Sequence, residues 1–408
     1  MPSLPSGEPV PSNGTLPPQA LREVGSQPFG IYVHVPYCAR RCGYCDFNTY
    51  TTAELGQDRG ASRDSYADAV ALELDLAHRV LGETPSVSTI FFGGGTPTLL
   101  PPAELVGIVA GVRERFGLRE DAEVTTEANP DSVDAAGLRQ LRDGGINRIS
   151  FGMQSAVPHV LATLDRTHDP ARLPELMAAA RDAGFDQVSL DLIYGTPGES
   201  MADWLASVLA ALSLAPDHVS AYALIVEPGT ALARQVAREE LPEPDDDDLA
   251  DKYAAADGLL EAAGLSWYEI SNWAGGPSSR CRHNQLYWSG GHWWGVGPGA
   301  HSHVGGVRWW NVKHPSGYAA RLAAGRSPAQ AREVLSESTR QVERVMLAVR
   351  LRDGLPVDAL DDAVRPAIPD MVADGLIEAR AVARSRVVLT PRGRLLADTV
   401  TRALIPSP

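Results

Sequence analysis

Gly30-Ile-Tyr-Val-His-Val-Pro-Tyr-Cys-Ala-Arg-Arg-Cys-Gly-Tyr-Cys-Asp-Phe-Asn-Thr-Tyr50 is the stretch on which the reading of this chain turns. Its apolar run, Ile31 to Val35, has the length and β-branched content of a buried strand. Cys38, Cys42 and Cys45 follow at Cys-x3-Cys-x2-Cys spacing, so the thiols sit on the loop that leaves a strand end. Three thiolates this close can ligate three irons of a cubane 4Fe-4S cluster, and with no fourth cysteine nearby one iron stays open to an outside ligand. A zinc site is the competing reading; it needs a fourth ligand, for which His34 and Cys281 are the candidates.

Composition narrows the class. The chain has 408 residues, 44% of them hydrophobic, enough for one large domain and one or two smaller ones. A formal charge of −15 argues against a general nucleic-acid surface, which needs a basic stripe to displace counterions. No apolar run approaches the roughly 18 residues of a membrane span, and the N-terminus lacks a basic then apolar leader. Only 4 cysteines, with three in one cluster, do not make a disulfide framework, so a reducing, cytoplasmic location is expected.

Outward from the cysteine loop, residues 1–27 are rich in Pro, Ser and Gly and read as a disordered tail. From 28 to 270 short strand-like runs alternate with helical patterns: Val87 to Phe92, Glu123 to Glu127, Arg148 to Phe151, Gln187 to Ile193, His218 to Ala223 and Trp267 to Ile270. Between them lie amphipathic stretches such as Ser65 to Leu81, Ala103 to Phe116 and Met201 to Leu214. This alternation predicts an α/β fold whose parallel sheet curls into a barrel or partial barrel, with the site at the strands' C-terminal ends. Those ends carry Gly93-Gly94-Gly95-Thr96-Pro97, Glu127-Ala128-Asn129-Pro130, Phe151-Gly152-Met153-Gln154-Ser155 and Asp191-Leu192-Ile193-Tyr194-Gly195. Glycines there let backbone approach a ligand closely. Four aspartates, Asp245 to Asp248, open a helix and suit its N-terminus better than a calcium site.

Residues 271–330 differ in character. Between His283 and Trp310 lie His283, His292, His301, His303 and Trp288, Trp293, Trp294, Trp309, Trp310, interrupted by glycines. Such a stretch reads as irregular structure that closes the barrel or lines a cleft for a large flat ligand. Residues 331–408 read as a helix Arg332 to Arg350, a short helix after Pro356, another over Pro366 to Ala373, a hairpin over Leu376 to Thr390 and a last helix after Pro391, a winged-helix-like accessory domain.

The Cys38-x3-Cys42-x2-Cys45 loop, the Gly93-Gly94-Gly95-Thr96-Pro97 turn and the Asp191-Leu192-Ile193-Tyr194-Gly195 strand end resemble the radical S-adenosylmethionine (SAM) enzymes, and within them the coproporphyrinogen dehydrogenase-like subgroup. The resemblance runs from about Phe29 to the C-terminus. It implies a partial (β/α)6-type barrel in which Cys38, Cys42 and Cys45 hold the 4Fe-4S cluster and SAM occupies the open iron. It further implies that Tyr32 and Tyr44 pack near cluster and SAM, that Gly94, Gly95 and Thr96 meet the amino-acid portion of SAM, and that Glu127, Gln154, Arg166 and Asp191 contact the rest.

Two departures sort the subgroup. The coproporphyrinogen dehydrogenases carry a further cysteine two residues beyond the third ligand, where this chain has Phe47, and the His283-Asn-x-x-Tyr-Trp288 element is characteristic of the heme chaperones of the subgroup. The resemblance thus implies a heme chaperone, with heme, recipient hemoproteins and an electron donor as partners. The alternative is an oxygen-independent oxidative decarboxylase of coproporphyrinogen III. His283 is the expected axial ligand to heme, Cys281 the second choice, and Arg280, Arg282 and Arg308 the expected propionate partners. A transient contact with a membrane protein and a homodimer stay open.

Overall fold

The computed structural model describes residues 6–55, 62–82 and 86–406. Its twelve main strands are β1 (Phe29–Val35), β2 (Val87–Gly94), β3 (Leu118–Ala128), β4 (Arg148–Gln154), β5 (Gln187–Tyr194), β6 (His218–Ala223), β7 (Ser266–Glu269), β8 (Asn272–Ala274), β9 (His292–Val296), β10 (His301–Val304), β11 (Val307–Asn311) and β12 (Ala329–Val334). They form one sheet in the order β12-β11-β10-β9-β1-β2-β3-β4-β5-β6-β8-β7. The run β1 to β6 is parallel throughout, each strand followed by helix on the outer face, which is the partial (β/α)6 barrel that the resemblance implies and the alternation suggests.

The two-residue period of β1 shows how the sequence builds this wall. Phe29, Ile31, Val33 and Val35 are at most 1% exposed beneath the helices, while Tyr32 and His34 point to the concave side. The register carries that side across the sheet, pairing Tyr32 with Phe91, Phe91 with Thr125, Glu127 with Ser150, Ser150 with Ser189, and Asp191 with Ser220. Helix ends are pinned where short polar residues fall. Ser200 and Asp203 form a capping box on the helix Met201–Ser213, and Asp245 accepts from Asp248 N–H to start Asp246–Ala262, so the four aspartates do cap a helix.

Four expectations need correction. Trp267 to Ile270 is not a further parallel unit: β7 and β8 run antiparallel beside β6. Residues 271–330 are not irregular; β9 pairs parallel with β1 and leads into the antiparallel β10, β11 and β12, so His292, Trp293, Trp294, His301, His303, Trp309 and Trp310 lie on regular strands. The chain from Ala329 to Val334 is a strand, and the helix expected from Arg332 starts only at Glu337 and ends at Ala348. The segment Leu376 to Thr390 is not a simple hairpin. Its alanine-rich centre forms the short helix Ala379–Val382, and the β pair is made by Arg386–Val387 with the distant Leu355–Pro356.

The expected disordered tail fails too over residues 6–27; residues 1–5 lie outside the described residues. Glu8 bridges to Arg332 by backbone and by ion pair (2.7 Å), and Arg340 holds Glu23 with two bonds of 2.8 and 2.6 Å. Leu16 and Ala20 are buried against the main core. A second core, from Val345 to Leu404, gathers the C-terminal helices into their own unit. Among the described residues no helix is long and apolar enough to cross a membrane.

A buried carboxyl ties the sheet extension to the barrel. Glu73, on the helix Tyr66–Leu81, accepts from Tyr318 Oη (2.5 Å), Asn311 Nδ2 (2.8 Å) and Gly297 N–H (2.9 Å). Burial pushes its pKa up to about 7 despite these donors. A folded-state pKa raised above the ordinary carboxyl value means that the group's contribution is complete below that value and is lost as pH rises through about 7. The urea midpoint of wild type relative to Glu73→Gln is therefore expected to fall between pH 5 and pH 8. Equal pH profiles for the two proteins would refute this.

Candidate cofactor site at the barrel mouth

Backbone hydrogen bonds lace the cysteine loop to the glycine turn. Gly95 N–H donates to Val35 O and Thr96 N–H to Tyr37 O, both at 2.8 Å, while Cys38 N–H reaches Tyr50 O at 3.0 Å. From the opposite wall Gly43 N–H donates to Leu164 O (3.2 Å) and Gly43 O accepts from Leu232 N–H (2.9 Å). Gly94 adopts φ 106°, which a side chain would strain, and a Cβ on Gly95 would stand 2.5 Å from Tyr37 O. The two segments thus meet at backbone contact, and only glycine permits it.

Cys38, Cys42 and Cys45 are half-buried free thiols on the rim of a cavity of about 650 Å³. Burial raises the Cys38 thiol to about 11 and also raises Cys45, so the loop stabilises thiolates poorly by itself. An iron cluster held there would supply the missing positive charge. Arg166 bridges Cys42 Sγ (3.7 Å) and Gly152 O (2.8 Å), and its Nε, like Thr125 Oγ1, is buried without a hydrogen-bond partner. Orphaned donors facing a cavity fit a polar cofactor.

The zinc reading finds no fourth ligand. His34 is used at both ring nitrogens, by Tyr32 Oη and Asn48 O, each at 2.9 Å. Cys281 is buried on the far wall with Sγ 3.7 Å from Glu123 Oε1. Among the described residues no group of three or more His, Cys, Asp or Glu side chains is arranged to hold a single metal ion.

Of the residues expected around SAM, Tyr44, Gly94, Gly95, Thr96, Glu127, Gln154, Arg166 and Asp191 all line this cavity. Asp191 accepts twice from Ser150 Oγ, at 2.9 and 3.0 Å, and burial raises its pKa. Burial, then the charge of Asp191, lifts Glu127 to about 8. Two buried carboxyls this close favour ligands that donate hydroxyl or ammonium hydrogens. Gln154 sits at the β4 bulge with φ 62°, a left-handed conformation that costs on the order of 1–3 kcal/mol. Such strain at a strand end re-aims a side chain into a site.

The strand ends alone did not reveal the cavity floor. Thr125, Arg148, Ser150, Ser189, His218 and Ser220 line it from the middle or the N-terminal ends of their strands. Their signal in the sequence is a polar residue at every second position of an otherwise apolar strand.

Tyr32 and His283 are placed otherwise than expected. Tyr32 is beside Glu127 across Gly93, yet it belongs to the lining of a second cavity on the other side of Phe91. His283 is fully buried, stacks on Phe91 at 5.2 Å, and has both ring nitrogens engaged, Nδ1 with Thr89 Oγ1 (2.8 Å) and Nε2 with Tyr287 Oη (2.7 Å). In this arrangement neither ring nitrogen is free to ligate iron, against its expected axial role. Cys281 is excluded by its burial, and the three arginines are already paired: Arg280 with Asp353, Arg282 with Asp121, Arg308 with Glu333 and Glu343. The helix Arg282–Trp288 acts as an aromatic wedge between the two cavities.

Comparison with known proteins agrees with this geometry. The radical SAM superfamily model matches residues 32–210. The chain is 52% identical to the heme chaperone HemW of Mycobacterium tuberculosis over 385 residues, covering 94% of this chain and 97% of that one. It is 32% identical to HemW of Bacillus subtilis over 92% of this chain and 98% of that one. The crystal structure of coproporphyrinogen III oxidase from Escherichia coli superposes with a TM-score of 0.79 over 95% of this chain and 92% of that one at 23% identity, which speaks to the fold. With the thiol loop, the glycine turn and the near-full-length identity in agreement, the chain belongs to the HemW family of the radical SAM superfamily.

Proposed function

We propose that this protein binds heme and passes it to apo-hemoproteins, and that Cys38, Cys42 and Cys45 hold a 4Fe-4S cluster beside a SAM site made by Tyr44, Gly94, Gly95, Thr96, Glu127, Gln154, Arg166 and Asp191. The observation that carries the heme reading is the 52% identity to a protein named a heme chaperone across nearly the whole chain. Phe47 supports it: 59% exposed on the rim, it offers no thiol at the position where the decarboxylases carry one. When bound, cluster and SAM supply one-electron reduction of a sulfonium at the low end of cluster potentials. The protein's part is to orient and to exclude water: Arg166 bears on the Cys42 sulfur, the glycine turn meets the methionyl group, and the Glu127–Asp191 pair receives hydrogens from the ligand. The test is to titrate heme into the reconstituted protein and follow transfer to an apo-hemoprotein. Absence of saturable binding ends the reading.

Gly95→Ala tests the contact between the glycine turn and the cysteine loop. The added Cβ meets Tyr37 O at 2.5 Å and Val35 O at 3.0 Å, both backbone atoms that cannot swing aside. At equal iron content SAM affinity is expected to fall by about tenfold or more, ~1.4 kcal/mol, with iron and sulfide assayed alongside because Tyr37 adjoins Cys38. Equilibrium dialysis with labelled SAM reads the difference, and undiminished affinity would count against the assigned role of the turn.

A further inference from the structure

The second cavity, of about 940 Å³, lies on the same concave side as the first but against β1, β9, β10 and β11, roofed by the helix Glu337–Ala348. Its volume is near the upper end of the ~300–1,000 Å³ of small-molecule pockets. Tyr287, Trp293, Met346 and Leu347 give it an apolar lining, with Tyr287 and Trp293 edge to face at 4.6 Å. Asp46 and Phe47 line both cavities, so the cysteine loop forms the shared rim. Between the two cavities stands the stack of Tyr32, Phe91 and His283.

Four histidines line this space, and they differ in what their ring nitrogens already hold. His34 is bonded at both ring nitrogens. His292 accepts from Gly305 N–H at Nδ1, and its Nε2, though without a hydrogen-bond partner, is buried in a residue only 2% exposed. His303 is tied through Nδ1 to Gly291 O (3.0 Å) and lies among the charges of Arg308, Glu343 and Arg340. His301 differs: it is exposed, stacks on Trp310 at 5.9 Å, and neither ring nitrogen is hydrogen-bonded among the described residues. Partial desolvation of its ring, which packs on Trp310, and then the nearby Lys313 and Arg308 charges keep the imidazole below the usual pKa, in the neutral form that ligates metals. Arg344, exposed on the roof helix and engaged in no ion pair among the described residues, is a cation suited to a carboxylate.

We infer that this second cavity is the seat of heme, with the macrocycle against Trp293, Tyr287 and the Met346–Leu347 face, His301 Nε2 or Nδ1 bound to iron, and Arg344 paired with a propionate. The inference rests on the reading of the protein as a heme carrier and names where the cargo sits. It also assigns a purpose to the aromatic wedge: the Tyr32, Phe91 and His283 stack partitions the cargo from the SAM cavity while Phe47 touches both. Heme binding is then not competitive with SAM.

Hemin titrated into cluster-loaded wild type in the presence of saturating SAM is expected to give one saturable site with the Soret shift of an axial imidazole. His301→Ala should lose that spectral signature and bind about tenfold more weakly, with added imidazole restoring the signature; His303→Ala should keep it. Met346→Trp, a change at a 37% exposed position that fills the cavity, should weaken hemin by tenfold or more while iron content and SAM affinity stay at wild-type values. If wild type binds hemin saturably but His301→Ala and Met346→Trp bind it equally well, the cavity assignment is overturned and the heme-carrier reading stands. A signature lost in His303→Ala and kept in His301→Ala overturns the ligand assignment. Wild type without saturable binding overturns both.

Discussion

Replacing Cys42 with alanine is expected to abolish the cluster outright, leaving reconstituted protein without stoichiometric iron and sulfide, without the broad visible absorption and without SAM binding. Three thiolates hold a cubane with one iron open, so losing one leaves two irons without protein ligands. Cys42 carries the additional contact to Arg166 (3.7 Å), which also braces Gly152 O at the β4 bulge, so the change removes the link between the loop and the SAM wall. The fold should survive. Cys42 is half-buried, and the loop is held by backbone bonds at Cys38, Gly43 and Tyr50 that the substitution does not touch. Unfolding of the apo protein should therefore change by no more than about 1 kcal/mol. Wild-type iron and sulfide in the variant would show that these thiols are not the ligands.

The sheet was legible where one strand carries its own pattern. In β1 the alternation of Ile31, Val33 and Val35 with Tyr32 and His34 announces both the buried and the concave side, and the Pro and Gly residues that follow each strand mark its end. It was illegible where order depends on distant partners. Ala329–Val334 is made of residues that favour helix, yet β11 pairs with it from Val307 to Asn311 and Glu8 binds its far edge, so tertiary pairing overrides propensity. The N-terminal segment has no periodic face at all. Its order comes from Glu8 and Glu23 meeting Arg332 and Arg340 more than 300 residues later, a relation that no local window contains.

The cofactor residues divide in the same way. Cys38, Cys42, Cys45 and the glycine turn are readable because spacing and residue type are themselves the constraint. His283 misleads because its type suggests a metal ligand while its function is set by Thr89, 194 positions away, and by Tyr287 one helical turn on. Residue type announces what a side chain can do. Only its partners decide whether the lone pair is free, which is why His301, one of four histidines in its stretch of sequence, stands out only once the hydrogen bonds are known.

Arg394→Ala should cost about 3–5 kcal/mol, the loss expected when one partner of a buried ion pair is removed and the other is left behind. Arg394 reaches from the C-terminal unit to Asp257 on the helix Asp246–Ala262 with bonds of 2.9 and 2.6 Å, donates to Tyr253 Oη (3.1 Å), and lies over the Trp267 ring at 4.6 Å. Its side chain is 6% exposed and that of Asp257 15%, so little solvent screens the pair. The variant leaves Asp257 with the Trp273 indole N–H (2.8 Å) in a site built for a guanidinium. Arg394→Lys should fall between, because an ammonium cannot repeat the two-bond geometry or the ring contact. Urea unfolding of both variants measures the cost, and a loss below about 1 kcal/mol for alanine would sink the argument. The effect should reach the second cavity before the first. The roof helix Glu337–Ala348 packs into the C-terminal core through Val345, whereas the SAM wall belongs to β2 through β6, so loosening that unit should weaken heme more than SAM.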